Sequence, residues 1–127
     1  MAGVVDLYGP TDLTTPQART DPTVTGFLGT PYAQDPEAYR LASPMHHLDA
    51  NAPPTLVIQG TIDDIMPVQQ SDALVEQLRE LGVPYWYDRV EGYPHTMDVA
   101  PAINERVQWL IGAFLRAFIQ PQPENRQ

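Results

Sequence analysis

A chain of 127 residues is the size of one domain, and a domain of that length buries roughly two-thirds of its unfolded surface, enough for a true core. Sixteen acidic residues against 7 basic ones, every one of the latter arginine, leave a formal net charge of −9, which makes nucleic acid and anionic membrane poor partners. With no cysteine there is no disulfide framework, no thiolate nucleophile and no cysteine-based metal centre.

The opening residues have neither the basic start nor the apolar length of a secretory signal. No apolar run approaches the roughly eighteen residues of a membrane span, so the chain reads as soluble. The 43% hydrophobic content argues against disorder, and the 14 prolines argue for short elements joined by many loops.

In chain order, residues 3–8 form a short apolar run ended by Gly9-Pro10, which predicts a buried strand. Residues 10–34 are rich in Thr, Pro, Asp and Gly and read as an excursion loop. Asp35-Pro36-Glu37 then starts a short helix to about Leu41, with Asp35 as N-cap and Pro36 in the first turn, and Ser43-Pro44 ends it. Residues 54–60 are β-rich and punctuated by Gly60, the second strand. A helix from about Val68 to Leu81 carries Leu74, Leu78 and Leu81 on one face and is closed by Gly82. Residues 84–90, with Tyr85, Trp86 and Tyr87, read as a third strand. In the last helix, about 100–119, Ile103, Val107, Leu110, Ile111, Phe114, Leu115 and Phe118 recur at three and four, and Pro121 stops it. Trp109 on that helix and the aromatics of the third strand read as core and helix–sheet contacts.

Strands alternating with helices predict βαβ crossovers and a short parallel sheet of about three strands with flanking helices, an α/β architecture. Ligands on such sheets sit outside the carboxyl ends of the strands, so the loops after Gln59 and Val90 are where chemistry is expected. Asp63 lies on the first and His95 on the second. Taken singly, Asp63 reads as a turn or helix-capping aspartate and His95 as a loop histidine. Taken together, an acid that fixes the tautomer of a histidine, which in turn accepts a proton from a hydroxyl, is two-thirds of a Ser-His-Asp triad.

The nucleophile is what the sequence does not supply. No G-x-S-x-G occurs, and the only serines are Ser43 and Ser71. Ser43 reads as structural, and Thr61 and Thr96 lack the glycine-framed elbow a nucleophile needs. His46-His47 beside Asp49 reads as a solvated loop pair, because adjacent histidines on an extended chain point to opposite sides. No metal or cofactor is expected.

Residues 2–119 resemble the C-terminal third of an α/β-hydrolase of the esterase and carboxylesterase type, near the acetyl-esterase and prolyl-oligopeptidase-like branch. The resemblance rests on Val4-Val5-Asp6-Leu7-Tyr8-Gly9-Pro10-Thr11-Asp12-Leu13, on Ala42-Ser43-Pro44-Met45-His46, on the run from Pro53 to Val68 with Gly60-Thr61-Ile62-Asp63-Asp64-Ile65-Met66-Pro67, and on Gly92-Tyr93-Pro94-His95. It implies that the three strands are the sixth, seventh and eighth of the family fold. It further implies that Asp63, four residues before Pro67, is the triad acid, that Asp64 is not, and that His95 is the base. Two positions depart from the pattern: Gln59 stands where relatives often have histidine, and Pro94 where glycine usually precedes the catalytic histidine.

By this resemblance residues 1–120 form a partial α/β-hydrolase domain and 121–127 a frayed polar tail. The nucleophile elbow and oxyanion hole would lie in an N-terminal hydrolase portion absent from these residues, leaving the chain inactive alone. A strand at residues 3–8 without its usual neighbour leaves backbone groups unpaired, which predicts a homo-oligomer through the edge from Gly3 to Tyr8. The alternative is a non-catalytic α/β binding or oligomerisation module.

Overall fold

The computed structural model describes residues 2–119, and the polar tail expected at 121–127 lies outside them. Three strands, β1 (Val4–Leu7), β2 (Thr55–Gly60) and β3 (Tyr85–Val90), form one parallel sheet in the order β1-β2-β3. Val4 to Leu7 pair with Thr55 to Ile58, and Thr55 to Gly60 pair with Tyr85 to Val90. The expected short parallel sheet with flanking helices is therefore the fold.

Every residue of β2 is buried, because the strand is central and covered on both faces. Alternation divides its side chains between two cores. Leu56 and Ile58 pack with Val90, Met97, Ile103, Val107 and Phe114 under the last helix, α5 (Pro101–Phe118). Val57 packs with Leu74, Leu78 and Val83 under α4 (Val68–Glu80). Gln59 shares the parity of Val57 and so points to the α4 side, as a fully buried polar side chain near the carboxyl end of that strand.

Residues 10–34 correct the expected loop, since they fold into two short helices, α1 (Pro16–Thr20) and α2 (Pro22–Leu28). Pro16 and Pro22 occupy the first turn of each helix, where no backbone N–H is needed. Thr15 Oγ1 accepts from Ala18 N and Asp21 Oδ1 from Thr23 N as N-caps, while Gly29 closes α2 at a φ of 73°. The helix α3 (Pro36–Leu41) starts at Asp35 as expected, its carboxylate accepting from Ala38 N at 3.2 Å. A 3-10 turn at Pro44–His47 follows it.

Trp109 also departs from expectation. Trp86 does pack edge-on against Phe114 and Phe118, at ring separations of 5.8 and 5.9 Å. Trp109 is instead 67% exposed. The buried line of α5 runs through Ile103, Val107 and Phe114, and at 100° per residue position 109 falls off that line.

These placements separate two aromatic truncations. Phe114→Ala, which empties a fully buried site at the centre of the α5 core, is expected to cost about 3–5 kcal/mol. Trp109→Ala is expected to stay within about 0.5 kcal/mol. Urea unfolding of both variants measures the contrast.

Candidate active site

Asp63 and His95, on separate loops at the carboxyl end of the sheet, are brought together: His95 Nδ1 donates to Asp63 Oδ2 at 2.7 Å. The Asp63 side chain is wholly buried and the imidazole is 21% exposed. Among the described residues none hydrogen-bonds His95 Nε2. Asp64 is exposed and takes no part.

The Asp63 carboxylate accepts four hydrogen bonds. Oδ1 takes the backbone N–H groups of Ile65 at 3.0 Å and Met66 at 2.7 Å, which closes the loop into an Asx-type turn leading to Pro67 and α4. Oδ2 takes Gln59 Nε2 at 2.9 Å as well as the imidazole. The turn bonds and the bond to His95 thus fall on its two different oxygens.

The loop carrying His95 is fastened across the end of β2. Ile62 N donates to Tyr93 O at 3.2 Å, Thr61 N to Val90 O at 3.1 Å, and Gly92 N to Thr61 Oγ1 at 2.8 Å. Gly60 permits this crossing, because a Cβ there would overlap the Tyr93 carbonyl. Thr96, directly after His95, has a φ of 53°, a left-handed conformation that is uncommon for a β-branched residue.

Nothing in the local pattern marks Tyr8 as more than the end of a strand, yet it is part of this site. Its ring meets the His95 imidazole edge-on at 4.7 Å, and its hydroxyl donates to Asp98 Oδ1 at 2.6 Å, three residues beyond the histidine. Its own φ is 43°. Non-glycine residues held in the left-handed region tend to cluster at functional sites, which is the signal available here once coordinates are known. Asp98 holds the Tyr8 phenol protonated, pushed up to about 12, with burial adding to the effect.

Both serines are engaged elsewhere. Ser43 Oγ accepts from Leu13 N and donates to Tyr39 O, each at 2.7 Å, and is fully buried. Ser71 Oγ, also fully buried, donates to Gln59 Oε1 at 2.9 Å. Thr61 Oγ1 serves the Gly92 amide, and Thr96 Oγ1 donates to the His95 carbonyl. His46 and His47 go separate ways: His46 Nε2 lies 3.5 Å from Asp12 Oδ1, and His47 Nε2 donates to Leu41 O at 2.7 Å.

The Tyr8–Asp98 bond has a pH signature. Folding raises the phenol's pKa from 10.0 to about 12, so its contribution is whole below 10 and disappears as pH climbs through about 12. Tyr8→Phe is expected to lower stability at neutral pH by about 1 kcal/mol and to remove that alkaline loss. Urea unfolding at a series of pH values, with phenolate absorbance followed in parallel, measures both.

The sequence model of the BD-FAE family matches residues 1–78, a stretch that includes β1, β2 and Asp63 and ends before His95. The probable carboxylic ester hydrolase LipM of Mycobacterium tuberculosis is 33% identical over 101 residues, which are 75% of this chain and 23% of that protein. Esterase LipC of the same organism is 50% identical over 44 residues, 35% of this chain and 11% of that protein. Among solved structures, a thermophilic esterase from the planctomycete Thermogutta terrifontis superposes with a TM-score of 0.76 at 18% identity, covering 98% of this chain and 45% of its own. A truncated form of a carbohydrate esterase from gut microbiota gives a TM-score of 0.74 at 21% identity, over 90% and 42% of the two chains. The chain therefore spans under half of these structural neighbours and about a quarter or less of the curated relatives. It belongs to the BD-FAE family and carries part of an esterase-type α/β-hydrolase fold.

Proposed function

We propose that this chain supplies the acid and base of a serine hydrolase acting on carboxylic esters, with the nucleophile supplied by sequence outside these 127 residues. The observation that carries the reading is the 2.7 Å bond from His95 Nδ1 to a fully buried Asp63 oxygen, with Nε2 left free. The carboxylate holds the proton on Nδ1, so the Nε2 lone pair faces outward as a base. It takes the proton of a serine hydroxyl as that oxygen bonds to the ester carbonyl carbon. The imidazolium so formed is stabilised by Asp63 and returns the proton to the departing alcohol. Water then repeats the cycle on the acyl-enzyme, and the carboxylic acid leaves. Asp63 and His95 stand in the acid-then-histidine order of α/β-hydrolases, and the three strands take the places of the sixth to eighth in that fold.

The buried, engaged hydroxyls of Ser43 and Ser71 support an external nucleophile. Residual catalysis in triads without their serine comes from the oxyanion hole and substrate binding, and the hole belongs with the absent elbow. The purified chain is accordingly expected to give no turnover of p-nitrophenyl acetate above buffer. Joined to an N-terminal esterase portion carrying G-x-S-x-G, it is expected to hydrolyse the ester, with His95→Ala losing about ten-thousandfold or more in kcat. Turnover by the chain alone that His95→Ala abolishes overturns the reading.

A second reading, a non-catalytic oligomerisation module, draws on the sheet edge. β1 pairs with β2 on one side only, Val5 is exposed, and Asp6 Oδ2 is buried with no hydrogen-bond partner among the described residues. We place a two-fold partner there, pairing β1 with β1 antiparallel. With a net charge of −9 on each chain, the association strengthens as salt screens the repulsion. Light scattering is expected to give twice the chain mass, reverting to monomer in Val5→Lys. A monomer at micromolar concentration with a cooperative unfolding transition overturns it.

A further inference from the structure

We infer that Ser71 and Gln59 form a positioning relay that sets the Asp63 carboxylate, and through it the proton of His95; the inference rests on the acid–base reading above. Gln59 and Ser71 are both fully buried. Gln59 Nε2 donates to Asp63 Oδ2 at 2.9 Å and to Met66 O at 3.0 Å, and its Oε1 accepts from Ser71 Oγ at 2.9 Å. The amide thus has a strong partner on every side that matters.

The arrangement has a direction. Ser71 donates to the amide oxygen, the amide nitrogen donates to Oδ2, and His95 Nδ1 donates to the same oxygen from the other side. Rotating the Gln59 amide by half a turn would put its oxygen against both Asp63 Oδ2 and Met66 O, two contacts between acceptors. Only a donor on the helix side keeps the productive orientation satisfied, and Ser71 is that donor. In a fully buried setting the chain of bonds polarises along its length, and bonds ending on a carboxylate are the strong ones.

Packing alone does not call for these residues. The apolar cluster on the α4 side is Val57, Leu74, Leu78 and Val83, and an apolar pair at 59 and 71 would extend it without burying polar atoms. The polar pair falls only where the strand runs into the Asp63 loop. Two backbone amides already satisfy Oδ1, so Gln59 is what locates Oδ2, the oxygen that meets the imidazole. Gln59 touches no reacting atom and is a positioning residue.

The test is nitrogen NMR of the His95 ring in the full chain, at a pH where the ring is neutral. Wild type is expected to hold the Nδ1–H tautomer with a slowly exchanging low-field proton. Ser71→Ala and Gln59→Leu are expected to give a mixture of tautomers and about tenfold faster exchange of that proton. Ser71→Thr, which keeps the hydroxyl, is expected to retain the wild-type signature. Natively folded Ser71→Ala or Gln59→Leu with an unchanged tautomer and exchange rate overturns the relay, as does an Nε2–H tautomer in wild type. Should Gln59→Leu not fold, the single-atom deletion Ser71→Ala decides alone. Failure of the hydrolysis experiment would bring down the catalytic reading and leave this measurement standing, so the two are distinguishable.

Discussion

A carboxylate with no exposed atoms has to be met by donors, and meeting the Asp63 carboxylate organises this end of the molecule. Left unmet, a buried charge would cost several kcal/mol and the side chain would turn outward. Four donors meet it, and each imposes a piece of structure: the amides of Ile65 and Met66 fold the loop toward α4, Gln59 ties it to the central strand, and His95 ties it to the loop after β3. The arrangement depends on β2 being central, since only a strand covered on both faces brings a side chain of the α4 layer to the end of the sheet in a dry environment.

Local strain is concentrated where those ties converge. Tyr8 and Thr96 are held in the left-handed region at about 1–3 kcal/mol each, and both touch or adjoin His95. What offsets the strain lies close by. The Tyr8 hydroxyl bonds to Asp98, Met97 is buried in the α5 core, and the Tyr93 carbonyl is caught by the Ile62 amide above a glycine that leaves room for it. The loop's shape is therefore over-determined by contacts on three strand ends.

The elements legible in the sequence are those whose local signals agree with one another. Residues 68–81 and 100–119 show a helical period and residues 54–60 and 84–90 a β-rich composition, all with Gly or Pro punctuation, and each becomes the expected strand or helix within a residue or two. Residues 10–34 misled because helices of five and seven residues are too short to display a period, and their prolines have opposite meanings inside a helix and at its first turn. Trp109 misled because hydrophobicity does not fix a face of α5. The juxtaposition of Asp63 with His95 was legible from strand order and loop position. Tyr8, Asp98 and Ser71 were not, since each acts through a contact with a distant part of the chain, Tyr8 and Asp98 being 90 residues apart.

The geometry of the Asp63–His95 pair closes within this chain. Every described hydrogen bond to Asp63 comes from residues between β2 and His95, and the loops are anchored to a sheet whose two cores are built from β2, β3, α4 and α5. From the other side of the sheet Tyr8, directly after β1, sets its ring against His95. A triad divides chemically into the group that attacks carbon and the pair that moves its proton, and the second task needs a fixed tautomer and one free nitrogen more than it needs the rest of the sheet. A hydrogen bond holds the His95 ring against Asp63 here, so under the proposed reading a hydroxyl delivered to Nε2 would meet a base whose orientation is already set.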